Sequence, residues 1–303
     1  MRRTLRGMEY TLAHGTANDF VVLGGIEDPD ELSAVLVRAL CDRRRGLGAD
    51  GVLRLAPGGD DAHVFMDHRN ADGSLAEMCG NGVRVLAKHV VDHGLVVPDT
   101  DGYVRIGTRS GVKPVRVHLD ADGRVDEVTV DMGPPILEPV DVPFEAEDPT
   151  VLVHRVELDD QEVDLSVVSM GNPHGVLQVD DVATAPVTTL GPRLEAHRRF
   201  PAKANIGFAE VVSPTAIRLR VWERGVGETA ACGTGACAAV VALQRRGLLD
   251  DQVAVHLPGG TLQVGHRDAS TVIMTGPAVE VASGRLDPDW LAAVTATATP
   301  DPR

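Results

Sequence analysis

Cys79 and Cys232 stand in segments that repeat one another. One reads MCGNGVRVLAKHVVDHGL from Met78, the other ACGTGACAAVVALQRRGL from Ala231. Each cysteine opens a Cys-Gly-X-Gly turn, each turn runs into an apolar helical segment, and each segment stops at a glycine, Gly94 or Gly247. A cysteine just ahead of a helix sits among backbone N–H groups that lack a carbonyl partner, near the positive end of the helix dipole. That setting favours thiolate and is expected to pull the thiol below its ordinary pKa of about 8.5. The same N–H groups can hold a carboxylate, and glycine lets it come close. Two thiols presented alike are what is needed to take a proton from one face of a carbon and return one to the other.

The alternative reading of Cys79 and Cys232, as small buried hydrophobes or a structural disulfide, does not account for the duplicated glycine frame. Cys237, on an apolar run, and Cys41, at the end of an apolar helix, read as bystanders. There is no CxxC pair and no His/Cys ligand spacing, so no metal is expected. Only Lys88, Lys113 and Lys203 are lysines, which leaves few candidates for a Schiff base.

The elements that must position the thiols repeat as well. Asn70 lies nine residues before Cys79 and Glu223 nine before Cys232, each after an alternating strand-like run, 64–69 or 217–222. Asn18 opens NDFVVL and Asn172 opens NPHGVL; GADGVLRL (48–55) and ANIGFAEVV (204–212) are weaker counterparts. Glycine-containing strand pairs follow at 104–117 and 253–264. A first helix is expected over 31–43 in one half and 190–200 in the other. The cysteine-led helices are apolar nearly all round, which predicts helices buried within a sheet. The Pro-rich 132–144 stretch reads as a linker. The strand-like 278–286 could return to either half; the division adopted is 1–133 joined by 278–303, against 134–277, with the active site at the interface.

Composition narrows the function classes. The 303 residues suffice for two domains, and 43% hydrophobic residues with only two Trp, two Tyr and five Phe imply cores of Val, Leu and Ala. A net charge of −15 argues against nucleic-acid backbone binding. No secretory signal, membrane span or disulfide framework is expected, which points to a cytoplasmic enzyme with reduced thiols. Glu223 and Arg224 alone would be an ordinary surface pair, but their spacing to Cys232 moves them toward the site. His174 reads either as a turn histidine or as a residue lining the site.

MCGNGVR and ACGTGACAA, preceded by HGTANDFVV, RNADGS, GNPHGV and NIGF, resemble the diaminopimelate epimerase family over nearly the whole chain. The resemblance implies an α/β (α+β) fold of two pseudo-symmetric domains, each a β-barrel-like sheet around a central helix. It implies an isomerase interconverting LL- and meso-2,6-diaminopimelate for lysine and peptidoglycan precursors, with no pyridoxal cofactor and no metal. By motif, Cys79 and Cys232 become the paired acid and base. Gly80, Asn81, Gly233 and Thr234 would hold the reacting carboxylate. Asn18, Asn70, Asn172, Asn205, Glu223 and Arg224 fall on substrate-contacting positions, and His174 and Glu223 on positions that assist the cysteines. A homodimer is plausible on the resemblance alone. Two departures stand out: Ala17 where glycine is common, and Gly51 where glutamine often stands.

Rival readings remain distinguishable. Proline racemases and hydroxyproline epimerases share paired cysteines but more often carry histidine where Asn81 stands. A phenazine-type isomerase would not need both thiols. A non-catalytic amino-acid-binding protein would not need the sulfurs, and a thiol redox protein would be expected to carry CxxC.

Overall fold

The computed structural model describes residues 8–24, 32–76, 78–266 and 271–296. The chain divides into two compact units, residues 1–130 with 277–303, and residues 131–276.

The first unit opens with β1 (Glu9–Gly15) and β2 (Asn18–Leu23), then α1 (Ala34–Cys41), β3 (Gly51–Pro57), β4 (Val64–Asn70), α2 (Gly80–Asp92), β5 (Tyr103–Thr108), β6 (Gly111–Leu119) and β7 (Val125–Asp131). The second carries β8 (His154–Glu157), β9 (Glu162–Ser169), β10 (Pro173–Gln178), α3 (Val187–Glu195), β11 (Asn205–Ser213), β12 (Ala216–Glu223), β13 (Gly227–Thr229), α4 (Gly233–Arg245), β14 (Gln252–Leu257), β15 (Gly260–Gly265) and β16 (Ile273–Pro277). The chain then returns as β17 (Val279–Arg285), antiparallel to β1, and α5 (Pro288–Ala296), which packs on α1.

Each unit wraps its strands around one cysteine-led helix. α2 touches β1 to β6 and β17, and α4 touches β9 to β12 and β15. Their composition explains this placement: Val83, Val85, Leu86 and Val90 of α2, and Ala236 to Leu243 of α4, are buried on every side. α4 has no polar face to give to water, and in α2 Arg84 and Lys88 are paired inside the unit, so a surrounding sheet satisfies both helices. Both end at a glycine in the left-handed region, Gly94 at φ +67° and Gly247 at φ +72°.

The sequence repeat is a repeat of strand register. β2 and β3 run parallel with Phe20 opposite Gly51; β10 and β11 run parallel with His174 opposite Asn205. Both partners are shifted by the same 154 positions.

Three local expectations change. The first helix starts at Ala34, where the Ser33 hydroxyl caps it by accepting from the Leu36 N–H at 3.2 Å; Glu31 lies outside the described residues. Its counterpart is Val187–Glu195 rather than 190–200, because Pro186 stands at its entry and the chain turns at His197 to drive Phe200 into the core against Phe144. The 132–144 stretch is part of the second unit's structure: Ile136 bridges Ser169, and Val142 and Phe144 belong to that unit's core.

Candidate active site

In the first unit, Cys79 is the N-cap of α2, with extended backbone (φ −144°, ψ 115°). Its Sγ accepts from the Gly82 N–H at 3.4 Å, and its carbonyl accepts from Val83 at 2.9 Å. Space at Gly82 is tight: a Cβ there would lie 3.2 Å from Leu53 Cδ2, which would have to give by a few tenths of an ångström. Gly80 and Asn81 occupy the first two helical positions, where a helix supplies no carbonyl to its own N–H groups.

Asn18 joins this group from the start of β2. Its Oδ1 accepts from Asn81 Nδ2 at 3.1 Å and lies 3.9 Å from Cys79 Sγ, while its Nδ2 donates to Asp50 at 2.9 Å. Asp50 is in turn held by Arg43, which also pairs with Asp19 at 2.8 Å. Asp19, Arg43 and Asp50 thus orient Asn18, a role not foreseen from the motifs. Asn70 ends β4, exposed, and its amide donates to Ser74 at 3.0 Å.

The end of β4 is anchored by a buried carboxylate. Asp67 is bound by Arg54 at 3.0 Å, by Arg69 at 3.0 Å and by Arg109. Burial alone would raise its pKa, but the bonds from Arg109, Arg69 and Arg54 outweigh that and bring it down to about 2. Arg109 also reaches the carbonyls of His68 and Ala76, so the same guanidinium fixes the strand end and the loop. Arg84, fully buried in α2, ties the helix to Thr16 at 2.6 Å.

In the second unit, Cys232 is the N-cap of α4 with similar backbone (φ −121°, ψ 109°). Its Sγ accepts from the Gly235 N–H at 3.3 Å and lies 3.5 Å from Thr234 Oγ1. Gly233 and Thr234 take the first two helical positions. A Cβ at Gly235 would come within 3.1 Å of Cys232 Sγ and of Val221, so a side chain there would crowd the sulfur directly.

Asn172 pairs with His174, and Asn205, opposite His174 across β10 and β11, pairs with Arg224. His174 Nε2 meets Asn172 Oδ1 at 3.0 Å; Asn205 donates to the Pro173 carbonyl at 3.2 Å and accepts from the Arg224 N–H at 2.9 Å. Arg224 itself is exposed and donates to the Ala202 carbonyl at 2.9 Å. Burial and the Arg224 charge lower His174 to about 3, so it is a neutral imidazole at physiological pH. Glu223, at the end of β12, accepts from Thr229 and acts electrostatically on Cys232. Glu195, also unforeseen, accepts from Trp222 Nε1 at 2.8 Å and from the Gly225 N–H at 3.1 Å, and so fixes the turn that carries Arg224.

One expectation is corrected. The helix start does not leave Cys232 as a low-pKa thiol: burial, then the Glu223 charge, push it well above the ordinary thiol value, against the smaller opposing help of Thr234 and Gly235. Cys41 is likewise pushed up to about 12 by burial and by Asp19 and Asp50, and Cys237 is fully buried, as befits two core residues.

The departures noted in the sequence have local consequences. Ala17 sits at φ +61°, beside Thr16 at φ +55°, in the tight turn leading to Asn18. At Gly51 a Cβ would stand 2.7 Å from the Arg69 carbonyl, so in this conformation no side chain fits.

The profile of the family described as diaminopimelate epimerase matches residues 10–138 and 166–281. The chain is 48% identical over 284 residues to the diaminopimelate epimerase of Thioalkalivibrio sulfidiphilus, covering 92% of this chain and 99% of that protein. It is 47% identical over 281 residues to that of Pseudomonas aeruginosa LESB58, with the same coverages. Among solved structures, a hydroxyproline epimerase from Agrobacterium vitis superposes with a TM-score of 0.69 at 18% identity, over 96% of each chain. A Bacillus anthracis phenazine biosynthesis protein gives 0.61 at 13%, over 92% of this chain and 99% of that one. These two distant likenesses carry the fold alone. The family match and the near-full-length relatives carry more: this chain belongs to the diaminopimelate epimerase family.

Proposed function

We propose that Cys79 and Cys232 are the two proton-transfer groups of a diaminopimelate epimerase, acting on opposite faces of one α-carbon. The enzyme is an isomerase that interconverts the LL and meso forms of 2,6-diaminopimelate. The observation that carries the assignment is the pair of similar N-caps, in which each sulfur accepts the third amide of its own glycine-framed helix.

In either direction one cysteine enters as thiolate and the other as thiol. The thiolate takes the α-proton and becomes a thiol; the opposite thiol gives its proton to the other face and becomes the thiolate. Proton count and charge are restored, with the roles exchanged for the reverse reaction. The raised pKa of Cys232 suits it to hold a proton before the substrate arrives. The difficult step is forming negative charge at the α-carbon. A substrate carboxylate held by Gly80, Asn81, Gly233 and Thr234 would meet fixed N–H dipoles that need no reorganisation as that charge develops. Asn18, Asn70, Asn172, Asn205, Glu223 and Arg224 supply donors, acceptors and charge for the distal aminocarboxylate. His174, kept neutral, and Glu223 position and tune the second half-site.

The test is turnover in deuterated water with LL-diaminopimelate, L-proline and L-hydroxyproline offered separately. The product from LL-diaminopimelate should carry deuterium at the inverted α-carbon, and the two proline substrates should not turn over. Cys79→Ala and Cys232→Ala should each lower kcat by more than about a thousandfold. Near-native turnover in either variant would refute the pairing.

A further inference from the structure

We propose that His89, His93 and Glu280 form a binding site for a divalent transition-metal ion of the zinc class, separate from the thiol chemistry. His89 and His93 stand in HVVDH near the end of α2, four positions apart, and therefore on the same side of the helix one turn apart. Their rings are 4.4 Å apart between centroids. Glu280, from β17, reaches both: Oε1 lies 2.7 Å from His89 Nδ1 and Oε2 lies 3.0 Å from His93 Nε2. One ligand atom from each of the three residues falls within 4.8 Å of the others.

The donor set points to the class of ion. Two imidazole nitrogens and one carboxylate suit zinc, cobalt, nickel or copper, whereas magnesium and calcium call for oxygen ligands. In a tetrahedral zinc site with bonds of about 2.0–2.1 Å, neighbouring ligand atoms are separated by about 3.3 Å. The two contacts of Glu280 are a few tenths of an ångström shorter than that. Loading the ion therefore requires the carboxylate to withdraw slightly as the ion replaces the shared protons, a small movement for a side chain with two rotatable bonds before its carboxyl group. Three protein ligands leave a coordination position for water. Both histidines line a cavity of about 860 Å³, together with Glu9, Tyr10 and Arg285, so an ion has a route in.

The role follows from distance. At 1.5 Å per residue, the fourteen steps from the cap Cys79 to the cap His93 put the site about 20 Å from the sulfur along the helix. An ion there would join the far end of α2 to β17, the strand that returns from the end of the chain, and would act on stability rather than on proton transfer. The sequence carries no CxxC pair, and the expectation of no His/Cys ligand spacing passes over the helical His-x3-His pair, whose third ligand stands 187 positions after His93, in β17.

The experiment is zinc titration of the chelator-treated full-length protein by calorimetry, with a cobalt(II) absorption spectrum alongside. Zinc should bind at one equivalent, and magnesium and calcium on the order of a hundredfold more weakly or not at all. The cobalt spectrum should lack thiolate charge-transfer bands. The same stoichiometry should persist in a Cys79→Ser/Cys232→Ser variant. His93→Ala and Glu280→Gln should each weaken zinc by at least about a hundredfold, since even outer-shell changes at metal sites cost 10–100-fold. His93 is the safer of the two, its side chain being 43% exposed. No zinc binding, binding unchanged in His93→Ala, or binding that vanishes with the cysteines would each overturn the proposal. In the first case the three residues are a hydrogen-bonded triad and nothing more.

Discussion

The two cysteine-led half-sites share a backbone frame and differ in what surrounds it. Both sulfurs accept the amide three residues on, at 3.4 Å and 3.3 Å, from N-caps of similar dihedrals. Around Cys79 the nearby side chains are amides, Asn18 and Asn81, and the sulfur is partly exposed. Around Cys232 there is a carboxylate, Glu223, and the sulfur is buried. The difference continues beneath. Position 67 of the first unit holds an acid gripped by three arginines. The counterpart 153 positions on is Arg220, which pairs with Glu228 at 2.6 Å and donates to the carbonyls of Val182, Ala183 and Ala185. One unit braces its half-site around a buried negative charge, the other around a positive one. The frame presents the two sulfurs alike, and the surroundings differ: burial and the Glu223 charge hold the Cys232 thiol protonated.

The largest expected consequence is a difference in thiol reactivity. Alkylation requires thiolate, and each unit by which a pKa exceeds the ambient pH removes about tenfold of it. Iodoacetamide at pH 8 should therefore modify the partly exposed Cys79 far faster than the buried Cys232, read by peptide mass spectrometry. Burial and the Glu223 charge both oppose thiolate at Cys232, and a second variant separates protonation from access. Glu223→Gln removes the charge with little change in volume, so alkylation of Cys232 should rise by about tenfold while that of Cys79 stays fixed. An unchanged Cys232 rate would mean that access alone protects it.

Next in size is the acid sensitivity of the first unit. Asp67 has a folded pKa of about 2 against an ordinary 3.8. Its ionised form stabilises the folded state above pH 4, and that contribution is lost as pH falls through 4 toward 2. The shift corresponds to about 2 kcal/mol. Asp67→Asn should flatten the decline of stability between pH 5 and 3 while lowering stability at pH 7 by roughly 3 kcal/mol, because three arginines lose their partner. Urea unfolding at several pH values measures both. An equally steep acid decline in Asp67→Asn would place the acid-sensitive group elsewhere. Arg220→Gln, in the second unit, should leave the acid slope unchanged.

How much of this the sequence disclosed depends on the range of each interaction. The thiols, the glycines behind them and the strand–helix order were legible because each is a local pattern repeated at a constant offset. Helix ends at Ala34 and Glu195 were not, since they depend on the Ser33 cap and on where Phe200 finds its core. The protonation of Cys232 was misjudged for the same reason: the N-cap rule is local, while burial and the approach of Glu223 are tertiary. Asp50, Asp67, Arg84, Glu195 and Glu280 carry no motif of their own. Their partners lie 32, 42, 68, 27 and 191 positions away, and no spacing rule connects residues so far apart.

The smallest test reaches the comparison at its most local point. Ala17 and Gly171 hold corresponding places, each just before the asparagine that opens its half-site strand, and both backbones are left-handed, at φ +61° and +92°. In the first unit, Thr16 and Ala17 form a two-residue hairpin loop between the paired Gly15 and Asn18, with positive φ at both positions, the geometry of a type I′ turn that favours glycine. An L-residue there costs roughly 1–2 kcal/mol, against which glycine loses about 0.4–1 kcal/mol through the greater freedom of its unfolded chain. Ala17→Gly should therefore gain only about 0.5 kcal/mol, and Gly171→Ala should lose about 1 kcal/mol, since φ +92° lies further from where alanine is tolerated. A Cβ at Gly171 meets nothing within 4 Å, so its loss would be conformational and not a clash. Denaturant midpoints of the two variants decide it. Opposite signs mean that the first unit accepts strain in its turn that the second avoids. Two losses would mean that the contacts of the Ala17 methyl group, together with the freedom glycine adds to the unfolded chain, outweigh the strain of its turn.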